Sequence, residues 1–463
     1  MTDQKLTTLP RSAPAEQGVD AAGIAAFVDA VASVPDVELH SLMVLRHGQV
    51  VAEAWWDPYG PREPHLLYSL SKSFTSTALG FAVGEGLVDL DATVLSYFPE
   101  LDAEVTDERS RSIRVRHVAS MASGHTEDTI EQAWRVGDGD ILRGFLLLPP
   151  DEEPGSVFEY NQPCTFAVAA IVQRVSGVSL TEYLRPRLFE PLGIGPVGWL
   201  TDGRGREVGF SGLFAPTEAI AKLGQLYLRN GEWDGRRLLS AEWVAEASRS
   251  HVVPNRDNPD WNQGYGFQFW RSRHGYRGDG AFGQFMVILP EADAVVAITS
   301  QSPDMQAVLD AAWAHLLPAL SDGAGPAAGA PAQPLTSGTL AGPVPSGPPG
   351  EFTAATYRPG AGNEVAAVTA VELRRAGSGW ELAVTDSGPQ LLAALGVPGT
   401  WTTTGQVATA HAWAGGRLDV DIAFVETPHR LRLSLDPATG QFGARWQTEP
   451  IHRLPLAELR MPR

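Results

Sequence analysis

A serine and a lysine three positions apart, Ser69 and Lys72, sit in the stretch Leu66-Leu-Tyr-Ser-Leu-Ser-Lys-Ser-Phe-Thr-Ser-Thr-Ala-Leu-Gly80, which reads as the start of a long apolar helix. On a helix an i,i+3 pair shares one face, so hydroxyl and amine would lie side by side. A lysine ammonium is a poor base, but burial lowers its pKa and frees it to take a hydroxyl proton. The product is a nucleophilic serine that needs no histidine. Ser-x-x-Lys arises by chance about once per 300 residues at ordinary composition, so its surroundings decide its weight.

The elements that must position the pair follow from the flanking patterns. Residues 20–33 repeat apolar positions at helical spacing behind an acidic start, and residues 40–46 and 50–56 flank His47-Gly-Gln49 as a β-hairpin. Serines and threonines are mediocre in helix interiors. Their crowding over 69–77 therefore predicts a tightly packed helix whose hydroxyls face backbone or a site. From Gly80 to Leu239 the signals are mainly helical, with helices predicted over 113–121, 165–175, 180–189 (interrupted at Pro186) and 217–228. Strands are predicted over 265–270, 283–290 and 294–300, and a closing helix over 305–320. Strands at both ends with helices between them imply one antiparallel sheet completed by both termini of the module.

Residues 323–350 are rich in Gly, Ala and Pro and read as a linker. Beyond them, short alternating stretches over 364–373, 380–384, 401–409, 418–424, 431–435 and 442–446 predict a small all-β unit, barrel or sandwich. The organisation expected is a module over 1–322 with a helical insert at about 80–240, the linker, and a β domain over 351–463. With 43% hydrophobic and 19% charged residues the chain has a globular composition. A net charge of -19 argues against nucleic acid or an anionic membrane as partner. No apolar run has the length of a signal peptide or a membrane span, and the single cysteine, Cys164, fits a reducing compartment, so a cytoplasmic location is expected. The histidines do not fall at metal-ligand spacing and no nucleotide-binding glycine motif occurs, so neither metal nor cofactor is expected.

With these motifs in view, the chain resembles the serine β-lactamase and penicillin-binding-protein superfamily, nearest its class C and esterase-like branch. Ser69-Leu-Ser-Lys72 matches the first family motif, and Arg116-His117 with Met121-Ala-Ser-Gly124 resembles the helix and turn that follow it. The resemblance covers about residues 35–320 and implies an α+β fold, an antiparallel sheet with a helical subdomain. It makes Ser69 the acylated nucleophile and Lys72 its proton acceptor. The second motif, Tyr-x-Asn, is approached by Pro154-Gly155-Ser-Val-Phe158-Glu-Tyr160, which makes Tyr160 the proton relay; Gln162 stands where asparagine is usual. Glutamine keeps the amide but moves its donor by about 1 Å or more unless the backbone compensates. The third motif, Lys-Thr-Gly or His-x-Gly, is missing. Arg277-Gly-Asp-Gly-Ala-Phe-Gly-Gln284 stands in its place and resembles the Gly-x-x-Gly-Gln form of esterase-like and amide-hydrolysing relatives. The resemblance implies an oxyanion hole from the Ser69 and Ala281 N–H groups. Gln162, Asp279, Gly280, Arg277 and His125 are the supporting or substrate-binding candidates, with Arg277 or His274 replacing the lost carboxylate-binding charge.

The expected function is a serine hydrolase acting on a carboxylic ester or small amide. Alternatives are a β-lactamase or D-amino-peptide hydrolase, an acyltransferase using the same acyl-enzyme, and a non-catalytic binding protein of the same fold. The C-terminal unit resembles lipocalin-like or small-barrel appendages. It is expected either to cap the cleft or to mediate a homodimer.

Overall fold

The computed structural model describes residues 8–321, 335–347 and 350–463. Helix α1 (Ala21–Ala32) begins at Asp20, whose carboxylate accepts from the Ala22 N–H at 3.0 Å, and buries Ile24, Phe27 and Val31. Strands β1 (Glu38–Arg46) and β2 (Gln49–Asp57) form the expected hairpin. The long helices α2 (Ser71–Gly84), α3 (Gln162–Ser176) and α4 (Thr217–Leu228) follow. Strands β3 (Tyr276–Gly280), β4 (Gln284–Leu289) and β5 (Ala294–Gln301) then complete the sheet. Its order is Gly338–Thr339, β2, β1, β5, β4, β3, Trp270–Arg271. β1 pairs antiparallel with β5, Leu42 opposite Ile298, so the two ends of the module meet at the centre of the sheet.

Strand alternation splits the sheet between two cores. Leu42, Val44, Phe285, Val287, Val296 and Ile298 pack with α1 and the closing helix. Met43, Leu45, Met286, Ile288, Val295 and Ala297 face the larger core that contains α2, α3 and α4. Helix α2 runs through this core with Ser71 to Ala82 all buried. Its hydroxyls act as staples: Ser73 and Ser76 donate to the carbonyls of Gln268 (3.2 Å) and Phe267 (2.6 Å), and Thr75 to that of Gly209 (2.8 Å). Each bond satisfies a buried polar atom, which would otherwise cost about 1–3 kcal/mol. The serine-rich sequence thus fixes α2 against the loops that wall the site.

Two strand expectations are corrected. Of residues 265–270 only Trp270 enters a strand, pairing through Trp270–Arg271 with β3. Residues 276–280, expected as a glycine-rich approach to a strand, are themselves a strand, Gly280 opposite Gln284 and Tyr276 opposite Ile288. Gly278 and Gly280 carry no side chains to show an alternation, yet closeness requires them. A Cβ on Gly280 would sit 2.0 Å from the Leu67 carbonyl oxygen, and one on Gly278 would sit 2.4 Å from Ser73 Oγ.

The C-terminal domain is a near-closed β-barrel. Its strands are β6 (Ala355–Pro359), β7 (Ala370–Ala376), β8 (Gly379–Thr385), β9 (Leu391–Leu395), β10 (Thr402–Thr404), β11 (Val407–Ala414), β12 (Arg417–Phe424), β13 (Arg430–Asp436) and β14 (Gln441–Trp446). They run in the order β9-β8-β7-β6-β14-β13-β12-β11-β10. Thr409 Oγ1 bonds the Ala394 carbonyl and Ala394 N–H donates to Thr404 Oγ1 at 3.4 Å, which draws the last strands toward the first. Val371, Leu382, Val420, Leu433 and Phe442 fill the interior. β6 and β9 were not expected from the sequence.

The linker expectation is also corrected over its described part; residues 323–334 and 348–349 of it lie outside the described residues. Gly338–Thr339 pairs in parallel with Trp56–Asp57 on β2, and Leu340 N–H donates to the Asp57 carbonyl at 2.8 Å. Trp401 and Arg430 of the barrel donate to the carbonyls of Leu340 (2.9 Å) and Ala341 (3.0 Å). Low-complexity sequence shows no side-chain period, but its backbone groups still pair at an open sheet edge. Among the described residues no single helix is long and apolar enough to cross a membrane.

Candidate active site

Ser69 lies in a short helical turn, Tyr68–Leu70, that leads directly into α2, and Lys72 occupies the first turn of α2. Lys72 Nζ is 3.1 Å from Ser69 Oγ, 2.7 Å from Gln162 Oε1 and 2.7 Å from the Phe210 carbonyl oxygen. The last two partners can only accept. They therefore take two N–H hydrogens, and a neutral amine keeps its lone pair for the Ser69 O–H. Burial favours that neutral form, pushing Lys72 down from 10.5 to about 7 against the opposing pull of Asp128 and Asp279. Gln162 thus meets the lysine although it is one methylene longer than asparagine. Its place at the N-terminus of α3 brings the amide within reach, and its backbone N–H is held by Asp128 Oδ1 at 3.1 Å.

The side chains of Tyr160 and Ser69 interact, and burial raises the Tyr160 phenol well above the ordinary value, so the group is neutral and able to donate. The ring stacks on Trp270 at 5.3 Å, and Lys72 Nζ lies 4.6 Å from the ring centroid. On the opposite side of Ser69, Gly280 presses against the turn and brings Ala281 to the cleft beside it. The cleft encloses about 700 Å³. Ser69, Tyr160, Gln162 and Ala281 line it together with Trp261, Trp270 and Met305.

A family model described as Beta-lactamase matches residues 27–320. The chain belongs to the β-lactamase family. Over 310 residues it is 29% identical to a 6-aminohexanoate-dimer hydrolase of Paenarthrobacter ureafaciens, covering 60% of this chain and 78% of that relative. Over 328 residues it is 27% identical to penicillin-binding protein 4 of Amycolatopsis lactamdurans, covering 61% and 81%. A solved penicillin-binding-protein homologue from Caulobacter crescentus shares the fold with a TM-score of 0.52 at 18% identity, covering 67% of this chain and 100% of that one. The protein is a serine hydrolase of the β-lactamase and esterase-like superfamily, whose substrates are esters and amides.

Three supporting candidates sit where this family member cannot use them to touch substrate. Arg277 is fully buried behind the cleft wall, donating to Asp279 Oδ2 (2.9 Å), the Asp260 carbonyl (2.8 Å) and Ser272 Oγ (2.6 Å), with Trp261 4.4 Å from its guanidinium. Its charge holds Asp279 in place and is not offered to a ligand. Asp279 itself lines the cleft. His274 is exposed and packs on Trp313 at 5.1 Å. His125 is buried away from the cleft: its Nε2 donates to the Leu148 carbonyl at 3.1 Å, leaving Nδ1 to accept from Ser123 Oγ at 3.0 Å.

Sequence reasoning missed Asp128, Glu159, Arg256 and the carbonyl of Phe210. Arg256 is a cleft-lining cation, paired with Glu159 at 3.2 Å. Asp128, Glu159, Asp257, Asp279 and Asp304 outnumber the one arginine of the lining, and although Glu159 and Asp279 are paired with Arg256 and Arg277 the cleft stays net acidic. No motif marks these positions, and a backbone carbonyl leaves no trace in residue type.

Proposed function

We propose that the protein hydrolyses a carboxylic ester or small amide through an acyl-enzyme on Ser69. The observation that carries this reading is Lys72 Nζ, buried 3.1 Å from Ser69 Oγ with two obligate acceptors for its N–H groups, so that as the free amine it has its lone pair for the serine. Lys72 takes the Ser69 proton as Oγ attacks the carbonyl carbon, and the oxyanion is held by the N–H groups of Ser69 and Ala281. Tyr160, a neutral phenol, gives its proton to the leaving oxygen or nitrogen and is restored by the proton held on Lys72. Water then attacks the acyl carbon by the reverse relay.

The acidic cleft supports neutral or cationic substrates over anionic ones, since Arg256 is already paired and Arg277 is buried. That counts against a carboxylate-bearing β-lactam. The 6-aminohexanoate dimer named in the Paenarthrobacter relative is a linear amide with an ammonium at one end and a carboxylate at the other; its amide fits the same chemistry, and only its ammonium end suits the acidic lining. Stoichiometric labelling by a fluorophosphonate probe should disappear in Ser69→Ala and fall in Lys72→Ala. Unchanged labelling of the Ser69 variant would overturn the proposal.

A further inference from the structure

Resting on the acyl-enzyme reading, we propose that the C-terminal barrel aims the oxyanion hole, with His429 as the positioning residue and His452 and Met461 beside it. The two backbone donors are each followed or preceded by a residue in a rare conformation. Tyr68, before Ser69, has φ 47°, and Phe282, after Ala281, has φ 67°. Non-glycine residues hold left-handed backbone only where their surroundings over-determine it. Tyr68 shares the peptide plane that carries the Ser69 N–H, and Phe282 holds the carbonyl side of Ala281, one plane beyond its N–H, so the two residues position the segments that carry both donors.

The barrel supplies the surroundings. His429 is fully buried, and its Nδ1 lies 3.0 Å from the Thr448 carbonyl, so Nδ1 carries the hydrogen and Nε2 is an acceptor. Tyr68 Oη donates to that Nε2 at 2.5 Å. The Phe282 ring meets His429 edge-on at 5.3 Å and Tyr68 at 5.2 Å. One barrel imidazole therefore touches the neighbours of both donors. His452 stacks on the Tyr68 ring at 5.5 Å with an interplanar angle of 5°, and its Nε2 is 2.8 Å from Ser211 Oγ. Ser211 follows Phe210, whose carbonyl holds Lys72 Nζ. Met461, like Ala281 and Phe282, packs against the cluster of Leu66, Tyr68 and Phe214.

None of these barrel groups lines the cleft, so their effect on the reaction passes through the turn they hold. Misaimed oxyanion donors cost turnover and leave ground-state binding intact. The test uses the full-length chain with Tyr68→Phe, which deletes one hydroxyl and keeps the ring, and His429→Gln. On p-nitrophenyl acetate each variant should lose about tenfold in kcat with KM nearly unchanged, and the Ki of phenylboronic acid should rise in step with the fall in kcat/KM. Tyr68→Phe retaining both kcat and boronic acid affinity would overturn the proposal, as would a loss of kcat with unchanged boronic acid affinity. Fluorophosphonate labelling of Ser69→Ala separates the two readings. If that variant is still labelled, the acyl-enzyme reading fails; if it is unlabelled while Tyr68→Phe is unimpaired, only the positioning role fails.

Discussion

Replacing Gln162 by glutamate should move the acidic limb of the pH–rate profile upward, because it places a carboxylate where an amide oxygen now lies 2.7 Å from Lys72 Nζ. In the native site burial holds Lys72 at about 7. At pH 7 roughly half of it is free amine, compared with about 3 in 10,000 for an unperturbed lysine, a gain of about 1,000-fold in available base. The shift from 10.5 to about 7 corresponds to about 5 kcal/mol against the ammonium. For a neutral ester, kcat/KM should therefore rise with pH through a single ionisation near 7 and level off above it. Tyr160 adds no ionisation in that range, since burial raises its phenol, and His452 is pushed down to about 4. An opposite charge in direct contact raises an amine by about 1–3 units. The Gln162→Glu enzyme should then be about five- to 500-fold slower at pH 7 and gain rate toward pH 9. Asp128→Asn should do the reverse, because Asp128 is the largest charge holding Lys72 up. A native profile flat from pH 5.5 to 8.5, or a limb that stays put in Gln162→Glu, would refute lysine as the base.

Gly280→Ala should cost about 1–3 kcal/mol and most of the esterase activity, since the new methyl would meet the Leu67 carbonyl at 2.0 Å; urea unfolding and ester turnover check both. Stability should fall on acidification from pH 6.5 to 4, because buried His65 is pushed down from 6.5 to about 4 and the unfolded chain takes up the proton first. This histidine alone contributes a loss of about 3 kcal/mol, complete below pH 4, and His65→Gln should make the urea-midpoint profile shallower over that interval, the remaining slope coming from the likewise depressed His117, His429 and His452. The acidic cleft should favour a choline ester over a hemisuccinate ester of similar size, with a ratio that shrinks as salt is raised; equal rates at low salt would count against the electrostatic reading.

The sequence exposed those parts of the site whose chemistry is local. Ser69 and Lys72 share a helical face, so residue type and spacing point to them, and Tyr160 is reached through the family resemblance carried by the residues from Pro154 onward. The expectation that Arg277 offers a carboxylate-binding charge fails because its burial depends on Asp260, Ser272 and Trp261, brought in by the fold. β6 was invisible because only Tyr357 of its five residues is buried, which leaves no alternation. In β9 the run Leu-Leu-Ala-Ala-Leu is apolar at exposed and buried positions alike. The contacts of His429 and His452 span 361 and 241 residues of sequence, far beyond any local pattern.

The strand formed by Gly338–Thr339 bears on how this molecule can be divided. It covers the C-terminal end of β2 at Trp56–Asp57, where backbone groups would otherwise stand unpaired at the rim of the sheet, while residues 10–12 meet the other end at Val50. A truncation ending at residue 321 would bare that rim and invite strand addition between copies. One ending at residue 347 would carry its own cover. Of two shortened proteins differing by 26 residues, mainly glycine, alanine and proline, the longer should stay monodisperse, so the natural place to cut lies on the barrel side of the strap.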